Sequence, residues 1–541
     1  MRAHHSWIKI VSWVTLLILA NVTKVIAAPP EIEWTASYNG PASYWESIRD
    51  AAVHEGSLHV VGFATFEFLK RGYVTVKYAP DGSEAWYRIY EGIDGPNQSS
   101  EASSIAVDDA GNVYVTGYSM TGNDPIFADL ATLKYSPEGE LLWEHRYRGS
   151  GGNAQPLAIA LDGSSLYVAG ATWINDGFDV LLLKYDLDGN LLWSRTPGRP
   201  GVAMDAAYCM ALDENGNIVL GGYTTPPMSD VDVYVLKYSP EGSLRWEWTL
   251  PGYANVEEVW DLTVDGDGNT YALAQYAPPG SHTSLLTVKL SESGSLLWYS
   301  IFSGESTGDY AAGIELAPNG NVFVAGAAWE NGSQNAMTLL KYTPSGQLLW
   351  SRRERAGYFS AECNDLVVDA AGAAYMTGVA FNENGREDYL TAKYNGSGNP
   401  VWTAAWDAPE GRSDYGYLVR VGTDQRVYVA GDAWRDFDNY YDITSVVYRQ
   451  SDPAAIPGTT PELASEMTLE PNPVRAGKFV TFRSNETGPV ELFGMDGRRI
   501  LTLDEVGVPG SGGALHFRAP TAGVYMLRAG DRTRKLVVIA N

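Results

Sequence analysis

Cysteine is almost missing from this chain: Cys209 and Cys363 are the only two in 541 residues. They stand at the start of two different repeats, and bridged Cα atoms must approach within about 7 Å. A disulfide scaffold is therefore excluded, and both are expected to be free, partly buried thiols. Histidine is scarce as well. The five beyond residue 28 are His54, His59, His145, His282 and His516, and they form no HExxH pair and no spaced Cys/His cluster. That excludes a recognisable zinc centre. His54 and His59 flank one tight turn and are expected to be exposed. A G-x-S-x-G elbow, a Walker loop and a dinucleotide loop are also lacking. Positive charge is short: 38 Lys and Arg face 65 Asp and Glu, a net charge of −27. With no basic stripe to neutralise phosphates, nucleic acid and anionic membrane surfaces are poor partners. No apolar run after residue 28 is long enough to span a bilayer.

Residues 1–28 read as a signal peptide. Arg2 and Lys9 precede an apolar stretch from Ile10 to Val22, and Val25-Ile-Ala-Ala28 ends it in small residues. An exported chain is expected, secreted or attached to the outer surface, with no transmembrane segment once the leader is removed.

Against these absences stands a ladder of tryptophans: Trp34, Trp86, Trp143, Trp193, Trp246, Trp298, Trp350 and Trp402, spaced 50 to 57 residues apart. Each of the last seven follows a Lys by nine residues, from Lys77 and Lys134 to Lys393. A period near 50 residues marks one supersecondary unit copied many times. Within a unit, Ser103-SIAVDDAG-Asn112, Val113-YVTGYS, Asp129-LATLKYSPEG and Glu140-LLWEHRYRG read as four alternating strands, a to d, divided by Gly, Asn, Asp and Pro turns. Such blades around an axis make a β-propeller. The c pattern occurs eight times. Its last copy, Asp442-ITSVVYR, has no following d strand, whereas Glu31-IEWTASYNG40 is a d strand with no a, b or c before it. The expected fold is all-β: an eight-bladed β-propeller at 29–450 closed by its N-terminal strand, a linker at 451–465, and a small β-sandwich at 466–541. Lys134 and Trp143 should face each other across the c–d hairpin, the Lys stem covering the indole.

The VDDAGNVYVTG and LKYSPEGELLW pieces resemble the bacterial SBBP-type β-propeller repeats over residues 31–450, which implies the fold and little about function. The tail carries Pro471-Asn-Pro473, Leu492-FGMDGRR-Ile500, Gly523-VYMLR528 and Lys535-LVVI, and its ten Lys/Arg against eight Asp/Glu give +2. It resembles a type A C-terminal sorting domain of the type IX (Por) secretion system. That resemblance implies a Bacteroidetes-like envelope, with the secretion machinery as a partner of the tail. In that family the tail is often removed and the cargo released or attached to surface lipopolysaccharide. Eight blades with a Trp near each end also resemble the quinoprotein dehydrogenases, but the vicinal Cys pair expected there is absent.

Candidate function falls on two sets of residues at one face, a recurring acidic position and the irregular loops. An acidic position entering the a strand recurs as Glu46, Glu101, Asp205, Glu257, Asp309, Glu362 and Asp414. These are expected to ring the channel mouth. They would bind backbone N–H groups of neighbouring blades, or gather a cation or a basic ligand group. The loops of the same face carry aromatics: Trp45, Trp173, Trp329, Tyr358, Tyr415 and Trp434, with Tyr44, Phe178, Phe437 and Tyr440 nearby. Aromatics beside carboxylates suit a glycan or a protein surface. No catalytic residue and no cofactor is assigned. Calcium at the Asp186-LDGN and Asp265-GDGN turns is the one cation considered, and those turns read more simply as hairpins. The expected function is a monomeric binding or adhesion module. The alternatives are a secreted glycan lyase or hydrolase using loop carboxylates, and a purely structural surface protein.

Overall fold

The computed structural model describes residues 28–450, apart from 43, 68–69, 94–98, 122–123, 175–176, 198–203, 226–230, 251–256, 278–281, 306–307, 331–333, 383–384, 410 and 436–439, together with the strands between 468 and 539. The signal-peptide reading at 1–28, except residue 28, the linker at 451–465 and Phe437 lie outside the described residues.

The described residues from 28 to 450 make one compact unit of eight four-stranded antiparallel sheets. Blade 1 shows the plan, with a at Glu46–His54, b at Ser57–Glu67, c at Lys70–Tyr78 and d at Glu84–Tyr90. The a strands are innermost: each touches that of the next blade, and Asp414–Val421 of blade 8 returns to Glu46–His54. The chain is an eight-bladed propeller. In blade 8 the strand Glu31–Tyr38 pairs antiparallel with c, Tyr441–Arg449, from Glu31↔Arg449 to Tyr38↔Ile443.

The b and c strands are buried on both faces, which is why they read as nearly continuous Val, Leu, Ala and Tyr. The a–b turns close on themselves. Asp108 Oδ1 accepts N–H groups from Ala110 and Asn112, and its other oxygen accepts the Asn112 amide and the Tyr114 hydroxyl. The two turns considered for calcium use their carboxylates the same way. Asp186 is engaged by Asp188 and Asn190, and Asp265 by Asp267, Asn269 and Lys289.

The tryptophans join blades to one another. Lys134 and Trp143 do pair across the c–d hairpin. The indole N–H, however, donates to a carbonyl in the c–d turn of the next blade: Trp34 to Pro80, Trp86 to Pro137, Trp143 to Leu187 and Trp298 to Pro344, at 2.9–3.2 Å. The Lys ammonium goes to the same turn, Lys77 to Pro137 and Lys134 to Leu187. Its cation–π partner is the b-strand aromatic rather than the Trp. Lys134 lies 5.0 Å from the Tyr114 ring and Lys289 4.5 Å from Tyr271, while Lys341 also reaches its own Trp350, at 5.9 Å. The ammonium is drawn past the indole by the carbonyl beyond it. Each turn presses its glycine on the ring below: a Cβ at Gly294 (φ +82°) would lie 2.7 Å from Trp246. Only glycine tolerates both that dihedral and that approach.

His59 is a second correction. It is fully buried in the b strand opposite Lys77, at the place Tyr114 holds opposite Lys134. Burial, with Lys77 beside it, lowers its pKa to about 3, so it packs as a neutral aromatic against Trp86. The thiols are free, Cys363 buried and Cys209 half-buried.

Residues 451–541 form a separate unit holding a three-stranded sheet and a five-stranded sheet. In the latter, Val474–Arg475 pairs parallel with Arg532–Ile539, and the other pairings are antiparallel. No described helix is long and apolar enough to cross a membrane.

Candidate functional site

The a–b and c–d turns lie at one end of the barrel of blades, and the b–c and d–a loops at the other. Each a strand enters from the loop end and is bulged near its start, between Ile48 and Asp50 in blade 1 and between Val259 and Asp261 in blade 5. A bulge turns one extra side chain out of the pleat and re-aims it. In blades 1 to 8 the bulged residues are Arg49, Ser103, Leu157, Tyr208, Trp260, Ala312, Asn364 and Tyr417. Only tyrosine occurs twice at this position, in blades 4 and 8, and the other six blades each have a different residue. It sits in the innermost strand near the loop face, where the rest of the unit is most regular.

The acidic position two or three residues earlier behaves otherwise. Asp309 accepts N–H groups from Gly304 and Trp329, and Asp414 from Ala408 and Trp434, so both oxygens of each anchor the d–a loop to the b strand. Asp205 accepts the Thr224 hydroxyl and the Thr225 N–H. Glu46 is fully buried, and burial followed by the nearby Asp442 raises it to about 8. Glu257 is fully buried too. Glu101 and Glu362 take side-chain partners from the preceding blade: Arg71 at 2.9 Å for Glu101, with Arg49 at 3.4 Å, and Asn335 at 3.0 Å for Glu362.

Binding to the backbone of the next blade falls to a different set, placed just past the bulges. Asp50 accepts from Ile105, Asp261 from Ile314 and Asp365 from Val419, at 2.8–3.1 Å. Arg420 spans Asp365 at 2.6 Å and Asp50 at 3.1 Å, joining blades 7, 8 and 1. Burial pushes Asp261 up to about 7. Glu315, half-buried and facing Asp261 and Asp365, is pushed up to about 8 by loss of solvation.

The six loop aromatics do not converge on one site. Trp45 stacks edge-on with Phe63, Trp173 pairs with Phe178 within its hairpin, and the Tyr358 hydroxyl donates to Asp388. Trp329 holds Asp309 through its backbone N–H. Tyr415 and Trp434 are brought together: both pack on Tyr441, at 5.7 and 5.0 Å, with Tyr417 stacked on Tyr415 at 7° and Arg412 over Trp434. A second locus combines one expected residue, Glu362, with aromatics that were not expected. Trp260 and Tyr310, 47% and 48% exposed, wall a cavity of about 200 Å³ shared by blades 5, 6 and 7, with Ala312, Glu362, Cys363 and Asn364 completing it. Its signal in the sequence was the odd residue of the repeat: Trp260 stands where blades 2 and 3 have Ser103 and Leu157. Among the described residues no group of three or more His, Cys, Asp or Glu is placed to hold a metal ion.

A family model described as a beta-propeller repeat, SBBP, matches residues 86–123. A regulatory protein, FlaEY, from Caulobacter vibrioides is 29% identical over 204 residues, 32% of this chain and 20% of that protein. The chain thus spans about a fifth of that relative's length. Similar solved structures include a fungal alcohol oxidase of the AA5 family in complex with copper, 14% identical over 80% of this chain and 96% of its own, TM-score 0.38. They also include the polysaccharide lyase Uly1, 10% identical over 74% and 90%, TM-score 0.40. A third is Sqt1 of Chaetomium thermophilum bound to the N-terminus of ribosomal protein L10, 10% identical over 70% and 100%, TM-score 0.33. Enzymes and binding proteins both occur among them.

Proposed function

We propose that this chain is a secreted or surface-attached binding module whose ligand contacts the loop face around the channel mouth. The observation that carries the reading is the exposure of large aromatic side chains at positions the repeat does not require, Trp260 and Tyr310 above all. Aromatics that served only to pack blades would recur, as the tryptophan ladder does. Two of the acidic positions count against the glycan-enzyme alternative, because Asp309 and Asp414 have both oxygens bound to backbone N–H groups. A general acid or base needs a free oxygen within reach of the substrate. The strand Glu31–Tyr38 clasps the ring that presents this face, and the tail, folded as a sandwich, serves export.

Two measurements test the two halves of this reading. On a combined glycan and peptide array, probed with and without calcium, selective ligands are expected for the full chain, with at least tenfold weaker signal for Trp260→Ala. Turnover of an arrayed polymer, or ligands indifferent to that variant and to Trp434→Ala, would count against the module. In a host with a type IX system, a version ending at residue 450 is expected to stay in the periplasm while the full chain reaches the surface or the medium. Equal export of both would remove the sorting role of the tail.

A further inference from the structure

The propeller contains two versions of one arrangement, and their difference identifies a ligand. Glu101 and Glu362 hold the same register in blades 2 and 7, each just before the bulge of its a strand. Around Glu101 the preceding blade supplies two guanidinium groups. One is Arg71, six residues before Lys77; the other is Arg49, the bulged residue of the neighbouring a strand. Aromatic rings wall them, with Arg71 over Phe63 at 4.4 Å and over Trp45 at 5.1 Å, and Arg49 over Phe63 at 5.1 Å.

Around Glu362 both arginines are replaced. The residue six before Lys341 is Asn335, which donates its amide to Glu362 without neutralising it. The bulged residue of blade 6 is Ala312, whose small side chain lines the cavity. Aromatic walls are present again, now from Trp260 and Tyr310. Asn364, also in the lining, donates its amide to Gly416 O, which leaves its carbonyl oxygen as an acceptor. Among the described residues no Lys or Arg pairs with Glu362. Arg353 and Arg355, on the d strand side of blade 6, both pair with Glu330, and Arg420 pairs with Asp365 and Asp50.

We propose that this cavity receives the guanidinium of an arginine side chain from a protein or peptide partner. The proposal rests on the loop-face reading above and names its ligand. A carboxylate with a free oxygen takes the guanidinium fork, and the rings take its planar faces, the combination that favours Arg over Lys. About 200 Å³ fits one side chain and not a folded surface. The acidic protein, at −27, draws a basic partner from a distance.

Saturation-transfer NMR on the full chain tests this with three probes: acetyl-Gly-Arg-Gly-amide, its citrulline counterpart of equal shape and no charge, and methyl glucoside. The arginine probe alone is expected to bind. Its affinity should fall at least fivefold in Glu362→Gln, which still accepts the Asn335 hydrogen bond. Ala312→Arg should abolish binding by supplying the guanidinium from within, as Arg49 does in blade 1. Unfolding temperatures within about 3 °C of the parent will show that both variants fold. Arginine binding unchanged in either variant overturns the proposal. So does a glucoside signal lost in Ala312→Arg, although the loop-face reading then stands. If neither the probes nor any arrayed ligand binds, both readings fall.

Discussion

A chain lacking residues 29–40 is expected to lose its cooperative unfolding transition or to unfold at least 10 °C below the full chain. Three kinds of contact go at once. The antiparallel ladder from Glu31↔Arg449 to Tyr38↔Ile443 disappears, leaving the edge of Tyr441–Arg449 unpaired. An exposed edge of that length is an invitation to aggregate. Glu33, which binds Arg426 at 2.6 Å and Arg449 at 2.7 Å, is removed, and two guanidinium groups are left facing each other. Trp34 no longer holds Pro80 of blade 1, and Tyr38, 3% exposed, leaves the core. Loss of one buried aromatic costs about 3–5 kcal/mol, a large part of a typical domain's stability. Trp34→Ala isolates the latch. It is expected to cost about as much as Trp298→Ala, which removes the matching bond to Pro344 inside the ring. Thermal unfolding with size-exclusion chromatography reads both. A deletion variant that stays monomeric and unfolds within 3 °C of the parent would show that the ring does not depend on this strand.

How far the fold was legible follows from where contacts lie in the sequence. The Lys–Trp pairing across each c–d hairpin was readable because both residues sit inside one repeat, nine apart. The next contact of each Trp lies 44 to 51 residues away, in the following blade. Periodicity records that such a partner recurs, yet it does not say which one. His59 was misread because a polar residue in the b strand looks exposed until it is aligned with Tyr114 and Tyr271 of other blades. The neighbouring-blade partners expected of the acidic positions were misassigned: Asp309 binds Gly304 and Trp329, and Asp414 binds Ala408 and Trp434, in the entering loop and the b strand. The bulge explains why: it inserts one residue, so period-2 alternation changes face after it. Side chains counted from the a–b turn and from the loop therefore belong to different faces. Asp50, Asp261 and Asp365, which bind the next blade, lie just past that slip, and Trp260 lies on it. The candidate site was hidden in the most regular strand of the repeat rather than in the irregular loops.

Stability should be greatest near pH 5 and fall steadily to pH 8.5, the reverse of what an ordinary carboxylate-rich protein shows. Burial pushes up nine of the described carboxyl groups: Glu46 and Glu315 reach about 8, Asp261, Asp414 and Asp432 about 7, and Glu258, Asp309, Asp365 and Asp388 are also raised. In the unfolded chain they ionise near 4. Between those limits the native state holds protons that the unfolded state has released, so their contribution is full below about pH 4 and is lost as pH rises to 8. Each such group lowers stability by up to about 1.4 kcal/mol per pH unit while this lasts. Arg420 opposes part of this by favouring the ionised forms of Asp261 and Glu315. On the acid side the sign reverses. Hydrogen bonds from Arg426 and Arg449 lower Glu33 to about 2, and the turn residues Asp108, Asp213 and Asp265 are also lowered, by their bonds to Asn and neighbouring groups outweighing burial. Their contribution is present above about pH 4 and disappears as pH falls toward 2. An optimum near pH 5 results. Differential scanning calorimetry at constant ionic strength should show Tm lower by at least about 5 °C at pH 8.5 than at pH 5. Glu315→Gln, which cannot ionise, should flatten part of that slope while leaving Tm at pH 5 nearly unchanged. A Tm that rises from pH 5 to 8.5, or a slope untouched by Glu315→Gln, would mean that these buried carboxyls are ionised in the folded propeller and compensated by partners outside the channel.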